Sequence, residues 1–185
     1  IDGMTVEQLP GYLQVHWPRI REQLTGGRYR PQPVKRVLIP KPDGRQRKLG
    51  IPTVLDRFIQ QAIAQVVQRH WEAHFHSHSY GFRPGRSAHH AVRQAQQQIR
   101  AGRDWVVDLD LDAFFDRVNH ARLIRRLYLH LPERGLVHLI NHYLKAGVWI
   151  EGRRTATTEG VPQGGPLSPV LSNVVLDELD WELEQ

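Results

Sequence analysis

The residues most able to do chemistry lie in one stretch: Trp105-Val106-Val107-Asp108-Leu109-Asp110-Leu111-Asp112-Ala113-Phe114-Phe115-Asp116. Alternation of apolar and acidic side chains predicts a strand over 105–111 whose neighbouring side chains take opposite faces. Trp105, Val107, Leu109 and Leu111 are then expected in the core, with Val106, Asp108 and Asp110 on the other face. A rise of about 3.3 Å per residue sets the Asp108 and Asp110 carboxylates roughly 7 Å apart along the strand. So acidic a face is costly unless water solvates it or a cation sits on it. Mg²⁺ takes hard oxygen ligands and is commonly held by one or two carboxylates together with substrate phosphates, as in two-metal phosphoryl transfer. A solvated strand end leading into a turn fits these residues as well.

A second unusual string is Gly160-Val161-Pro162-Gln163-Gly164-Gly165-Pro166-Leu167-Ser168-Pro169. Its glycines permit close backbone approach to a ligand and its prolines stiffen the turn. Gln163 can donate to and accept from a base or sugar edge, and a tight structural turn is the alternative. A third string, Pro40-Lys41-Pro42-Asp43-Gly44, separates two apolar runs, which signals a hairpin turning at Pro-Asp-Gly. Lys41 and Arg47 fall on opposite arms of that hairpin, where both could point at one polyanion.

The charge is divided in the same way. Residues 1–103 carry 17 Lys+Arg against 6 acids, and residues 104–185 carry 8 against 13, so a net +11 faces a net −5. A basic half beside an acidic half suits a protein that grips a polyanion and does metal chemistry on it. Arginine makes up 21 of the 25 basic residues, which favours bidentate phosphate contacts, although genome composition yields the same bias. The absence of Cys removes disulfides, Cys-ligated zinc, iron–sulfur clusters and thiol catalysis. No run of 18 apolar residues is present, so no membrane partner is expected.

The elements that must position these residues can be read from periodicity. Thr5 and Gln8 form a capping-box pattern before a helix running to Leu24, with Pro10-Gly11 interrupting its start and Gly26-Gly27 ending it. Residues 29–33 are expected to be extended, and strands are expected over Val34–Ile39 and Arg47–Ile51. Leu55, Phe58, Ile59, Ile63, Val66, Val67 and Trp71 follow helical spacing. Ser87 caps a helix with Ala88, Ala91, Val92, Ala95 and Ile99 on one face. Helices are expected over 120–130, capped by Asn119, and over 133–146. A short hairpin spans 148–157, and a last helix begins near Pro166. The mixture is α+β.

Taken together, the strings resemble the consecutive motifs of reverse transcriptases. They are Asp110-Leu-Asp-Ala-Phe-Phe-Asp116, Asn119-His120, Gly160 to Pro169, and Leu176 to Asp180. Ile39 to Gly44, Leu49-Gly-Ile-Pro-Thr53 with Asp56-Arg57, and Tyr80-Gly-Phe-Arg-Pro-Gly85 are similar to strings of group II intron-encoded reverse transcriptases, the maturases. The resemblance implies a right-hand polymerase, with basic fingers over 1–103 and the first part of the palm over 104–185. It implies Asp110 as the catalytic aspartate and a Mg²⁺ ligand, with the Leu111 carbonyl as a second ligand. Asp108 becomes a neighbour and Asp116 a structural residue. Lys41 and Arg47 would meet the incoming triphosphate, with Arg45 and Lys48 adding general attraction. Asp112, Ala113, Phe114 and Phe115 fall in the nucleotide-binding stretch, and Phe115 would pack under the sugar and exclude a 2′-hydroxyl. Gln163, Gly164 and Gly165 would lie beside the templating base and the new nucleotide. Arg83, Pro84 and Gly85 would lie near the template. Asp112, Ala113 and Val161 stand where Lys, Gly and Thr are frequent in the family.

The implied activity is RNA-directed DNA synthesis from a DNA primer, using dNTPs and two Mg²⁺ ions, with intron RNA as a further partner. A bacterial cytoplasmic protein is expected, with an organellar one as the alternative. An RNA-binding module acting mainly in splicing, or another bacterial retroelement enzyme, are the other readings. No Asp-Asp pair occurs in the 185 residues. The aromatic-x-Asp-Asp motif of the family is therefore missing, Ile1 and Gln185 are read as cut ends, and the chain alone is expected to be inactive. His70, His74, His76 and His78 cluster around a helix end, and His70 and His74 have an i, i+4 zinc spacing; with no Cys partner and the later two in an expected loop, all four are read as surface histidines and not as a metal site. Trp17, Trp71 and Trp105 are expected in the core, Trp149 part-exposed, and the Gln94–Gln98 run on a solvated helix face.

Overall fold

A computed structural model of the chain describes residues 2–42 and 44–184. It has an α+β architecture, as expected: seven helices and one four-stranded sheet among the described residues. Helix α1 (Leu9–Thr25) begins with Pro10 in its first turn, where the missing N–H costs nothing, so Pro10-Gly11 starts the helix and does not interrupt it. Only half of the capping box forms: the Gln8 side chain accepts from the Thr5 N–H at 2.9 Å.

Strands β1 (Val34–Pro40) and β2 (Gln46–Ile51) make the expected hairpin, with Ile39 opposite Arg47 and Leu38 opposite Lys48. At its tip the Lys41 N–H bonds the Arg45 carbonyl at 2.8 Å, while Asp43 of the expected turn lies outside the described residues. Strands β3 (Val148–Ile150) and β4 (Arg153–Thr155) form the second hairpin. β3 pairs parallel with β1, giving the order β2-β1-β3-β4. The acidic half thus contributes two strands to the sheet that carries the basic hairpin.

The core is mainly helical. α2 (Val54–Trp71) lies against α7 (Ser168–Glu182), and α5 (His120–His130) packs on both α7 and α6 (Arg134–Leu144). Val67, Trp71, Leu127, Val137, Ile140 and Val174 are fully buried there. Asn119 caps α5 by accepting from the Arg122 N–H at 2.9 Å. Ser87 caps α3 (Ala88–Arg100), but that helix buries none of its residues; its apolar face, with Val92 and Ile99, stays open. None of the described helices is long and apolar enough to cross a membrane.

Two core expectations are corrected. Residues 104–111 form no ladder among the described residues, and Trp105, Val107, Leu109 and Leu111 are exposed, Trp105 by 96%. Alternation sorts side chains between two faces, but a face is buried only when a second layer covers it. Trp17 is also part-exposed and meets Phe58 edge-on with 6.3 Å between ring centres. Trp71 is buried and Trp149 part-exposed, as expected.

The base of the β1–β2 hairpin is held by one buried carboxylate, Asp56, which is 1% exposed. It accepts hydrogen bonds from Tyr29 Oη (2.8 Å), Tyr143 Oη (3.1 Å), the Gln32 N–H (3.0 Å) and Thr53 Oγ1 (2.8 Å). Thr53 Oγ1 in turn accepts from the Asp56 N–H, capping α2. These four donors come from the segment before β1, from α6 and from the turn after β2. Burial and the neighbouring Asp56 carboxylate push both tyrosine hydroxyls far above their ordinary value. Asp56→Ala orphans donors whose desolvation costs about 1–3 kcal/mol each, so urea unfolding is expected to show a loss of about 3 kcal/mol or more. In the unaltered protein, both tyrosines release protons more readily when unfolded than when folded. Stability is therefore expected to hold up to about pH 10 and fall above it, which a melting series against pH checks.

Candidate active site

The hairpin tip and the carboxylate stretch face each other across an open groove of about 740 Å³. Lys41, Arg45, Gln46, Arg47 and Lys48 line one side; residues 109–116 line the other, and Gln163 and Leu176 contribute as well. Of the residues singled out for chemistry, the structure brings Lys41, Arg47, Asp110, Leu111, Asp112, Ala113, Phe114, Phe115 and Gln163 into this one space. The Asp110 carboxylate and the Leu111 carbonyl are hard oxygen donors opposite four cationic side chains. That is the polarity needed to hold a cation and a polyanion side by side. Asp112 is exposed and pairs with Arg117 at 3.3 Å.

Backbone geometry explains how the chain turns here. Ala113 adopts a left-handed conformation (φ 50°) as it enters the one-turn helix α4 (Phe114–Arg117). A side chain is disfavoured there by roughly 1–2 kcal/mol, a physical reason for glycine at such a position. The turn brings Phe114 against the core and leaves Phe115 half-buried on the groove, the two rings edge-on with centres 5.4 Å apart.

The Gly160–Pro169 string is the scaffold behind this turn. The Val161 N–H bonds the Phe115 carbonyl at 2.7 Å, and the Gly160 N–H bonds the Val118 carbonyl at 2.8 Å. The buried His120 ring meets the Gly160 carbonyl at 2.7 Å. Further along, the Gln163 carbonyl accepts from the Gly50 N–H at 2.7 Å, tying the string to β2. Gly164 (φ 117°) lies over the Gly50 backbone, and a Cβ on Gly165 would collide with Gln60 Oε1. Neither glycine lines the groove; both let the string lie flat on β2 and α2. These links went unread in the sequence, because backbone-to-backbone contacts between distant segments leave no side-chain pattern. Asp56 did leave one, the Thr53-x-x-Asp56 spacing of a capped helix start.

Arg83 stands apart. Its guanidinium is buried and donates to Glu72 Oε1 (2.8 and 3.1 Å), the His76 carbonyl (2.7 Å) and the Ser79 carbonyl (2.9 Å). With its donors engaged inside the loop, Arg83 acts in this structure as a scaffold for the string expected near a template. Pro84 and Gly85 are exposed beside it and are not among the residues lining the groove.

With fold and site in view, the family follows. Residues 39–185 match the family model described as reverse transcriptase (RNA-dependent DNA polymerase), and the chain belongs to that family. The group II intron resemblance is supported by the relatives. The chain is 36% identical over 96% of its length to the group II intron-encoded protein LtrA of Lactococcus lactis, covering 30% of that protein. It is 40% identical over its whole length to protein YkfC of Escherichia coli, covering 50% of it. It is 29% identical over 98% of its length to a putative COX1/OXI3 intron 1 protein of Saccharomyces cerevisiae, covering 22%. Among solved structures, a chain of a partial Cas6-RT-Cas1–Cas2 complex matches all of this chain at 28% identity and a TM-score of 0.58, over 31% of its own length. The chain thus spans half or less of the length of these proteins.

Gly160 tests the scaffold. It has φ 85°, and a Cβ there would lie 2.9 Å from the Asp116 carbonyl oxygen and 3.0 Å from that of Phe115. Gly160→Ala is expected to cost about 1–3 kcal/mol in denaturant unfolding. A loss below about 0.5 kcal/mol would show that the string does not hold the Phe115 turn in place.

Proposed function

We propose that the protein carrying this chain copies RNA into DNA, and that the groove between the β1–β2 hairpin and residues 109–116 receives the incoming dNTP. The observation behind this reading is the gathering of Lys41, Arg47, Asp110, Phe115 and Gln163, from three separate segments, around one open space. Lys41 and Arg47 bind and orient the triphosphate from the fingertip side. Phe115 offers a flat apolar surface for the sugar, too close to admit a 2′-hydroxyl. Gln163, its backbone fixed to Gly50, positions the base edge.

The donor set suits Mg²⁺ in kind, with the Asp110 carboxylate and the Leu111 carbonyl as its holders, and in number it supplies part of a two-metal site. Bound Mg²⁺ would supply charge neutralisation for phosphoryl transfer. With a single carboxylate of this type and no Asp-Asp pair, the chain alone is proposed to be inactive. The fingers are proposed to correspond to the basic part, 1–103, and the partial palm to the rest. The basic surface suits both an RNA template and a structured intron RNA, and the setting is proposed to be a bacterial cytoplasm.

Primer extension by the full-length protein tests the assignment. Asp110→Ala is expected to reduce synthesis to background while RNA affinity stays within about twofold, since the carboxylate does not contact the strand's phosphates. Lys41→Ala or Arg47→Ala is expected to raise the dNTP KM about tenfold to a hundredfold, from the loss of about 1.5–3 kcal/mol of charged hydrogen bonding. Retained synthesis with Asp110→Ala would reject the site. The 185-residue chain alone is expected to give no Mg²⁺-dependent extension.

A further inference from the structure

Away from the groove, the loop between α2 and α3 is drawn onto the end of α7. The His76 N–H bonds Asp177 Oδ1 at 3.3 Å, Asn173 Nδ2 bonds the Gly81 carbonyl at 2.8 Å, and Trp181 Nε1 bonds the His74 carbonyl at 3.3 Å. At the far end of this contact, His76 Nε2 lies 2.7 Å from Glu184 Oε2, and the His78 ring stands edge-on to that of His76 with centres 5.2 Å apart. One ligand atom each from His76, His78 and Glu184 falls within 4.8 Å of the others. His76 is buried, while His78 and Glu184 are open to solvent.

We propose that His76, His78 and Glu184 form a binding site for a divalent transition ion of the zinc class, which clasps the α2–α3 loop to α7. Two imidazoles and a carboxylate are the borderline ligands that such an ion takes. In a tetrahedral zinc site, ligand atoms lie about 3.3 Å apart, from metal–ligand bonds of about 2.0–2.1 Å. The present spacing brackets that value, so side-chain rotations of an ångström or so close the site. One ring already has an outer partner: His78 Nε2 meets Gln94 Nε2 at 3.2 Å. With the Gln94 amide turned so that its oxygen accepts the His78 N–H, the other ring nitrogen keeps its lone pair for the ion. Ligation at His76 Nε2 moves that ring's proton to Nδ1; it gives up a long 3.3 Å contact from the His78 N–H and replaces the direct 2.7 Å bond to Glu184 by an ion held between the two groups. A water completes four ligands. The hard-oxygen groove around Asp110 selects a different ion, so the two sites are separable by chemistry.

The test is zinc stoichiometry of the full-length protein, read by competition with a chromophoric chelator, with Co²⁺ absorption reporting coordination. The variants His78→Ala and Glu184→Gln alter exposed residues, so the metal-free melting temperature is expected to stay unchanged. Each is expected to lose one equivalent of zinc, or at least tenfold in affinity for it, together with the four-coordinate Co²⁺ band and the zinc-induced rise in melting temperature. Gln94→Ala is expected to weaken binding about tenfold. Equal stoichiometry and affinity in wild type and both variants would overturn the proposal. So would loss of the ion from His70→Gln/His74→Gln, which would locate it on the neighbouring histidine pair.

Discussion

The structure depends on a carboxylate that is almost wholly buried. Asp56 gathers two tyrosine hydroxyls, a threonine hydroxyl and a backbone N–H from three separate segments. Its desolvation is tolerable only because every partner is in place, so the arrangement is all-or-none. The β1–β2 hairpin rises from this point. Its cationic tip is therefore held relative to the helical core by the buried network, and not by the loop that carries the charges.

The opposite wall of the groove is held by different means. The carboxylate stretch has no ladder partner among the described residues, and its position rests on the Ala113 turn and the backbone bonds from Gly160 and Val161. The Gln163 carbonyl then joins this wall to β2 through Gly50. Asp56 and the glycine string are thus two independent anchors of one groove. Glycine is required where the string crosses other backbone, at Gly160 against Asp116 and at Gly164 against Gly50. At Gly160 a Cβ would collide with carbonyl oxygens, and at Gly164 the φ of 117° disfavours any side chain while a Cβ would sit tightly at 3.2 Å from the Gly50 carbonyl.

Much of this was legible in the sequence, for identifiable reasons. The first hairpin, α2, and the Ser87 and Asn119 caps follow from local rules, and the motif strings brought the groove residues together by resemblance. The corrected core expectations share one cause: they concern what covers a residue, which lies elsewhere in the chain. Trp105 to Leu111 alternate correctly but have no layer above them. Arg83 belongs to a string near a template in the family, and here its guanidinium is engaged by Glu72 and by the His76 and Ser79 carbonyls, which no local pattern announces. The His76–Glu184 approach spans 108 residues, so the histidine cluster alone gave no sign of the carboxylate that meets it.

The central claim is that one groove holds the nucleotide between the hairpin tip and the carboxylate stretch. Photo-crosslinking of the full-length protein with an azido-dNTP, on a primer–template and followed by peptide mapping, tests it most directly. The account predicts adducts on both 41–48 and 109–116, competed by unmodified dNTP and lost together when Lys41 and Arg47 are replaced by alanine. Competed adducts confined to other parts of the chain, such as the separate groove around Tyr29, Arg36 and Trp149, would contradict it.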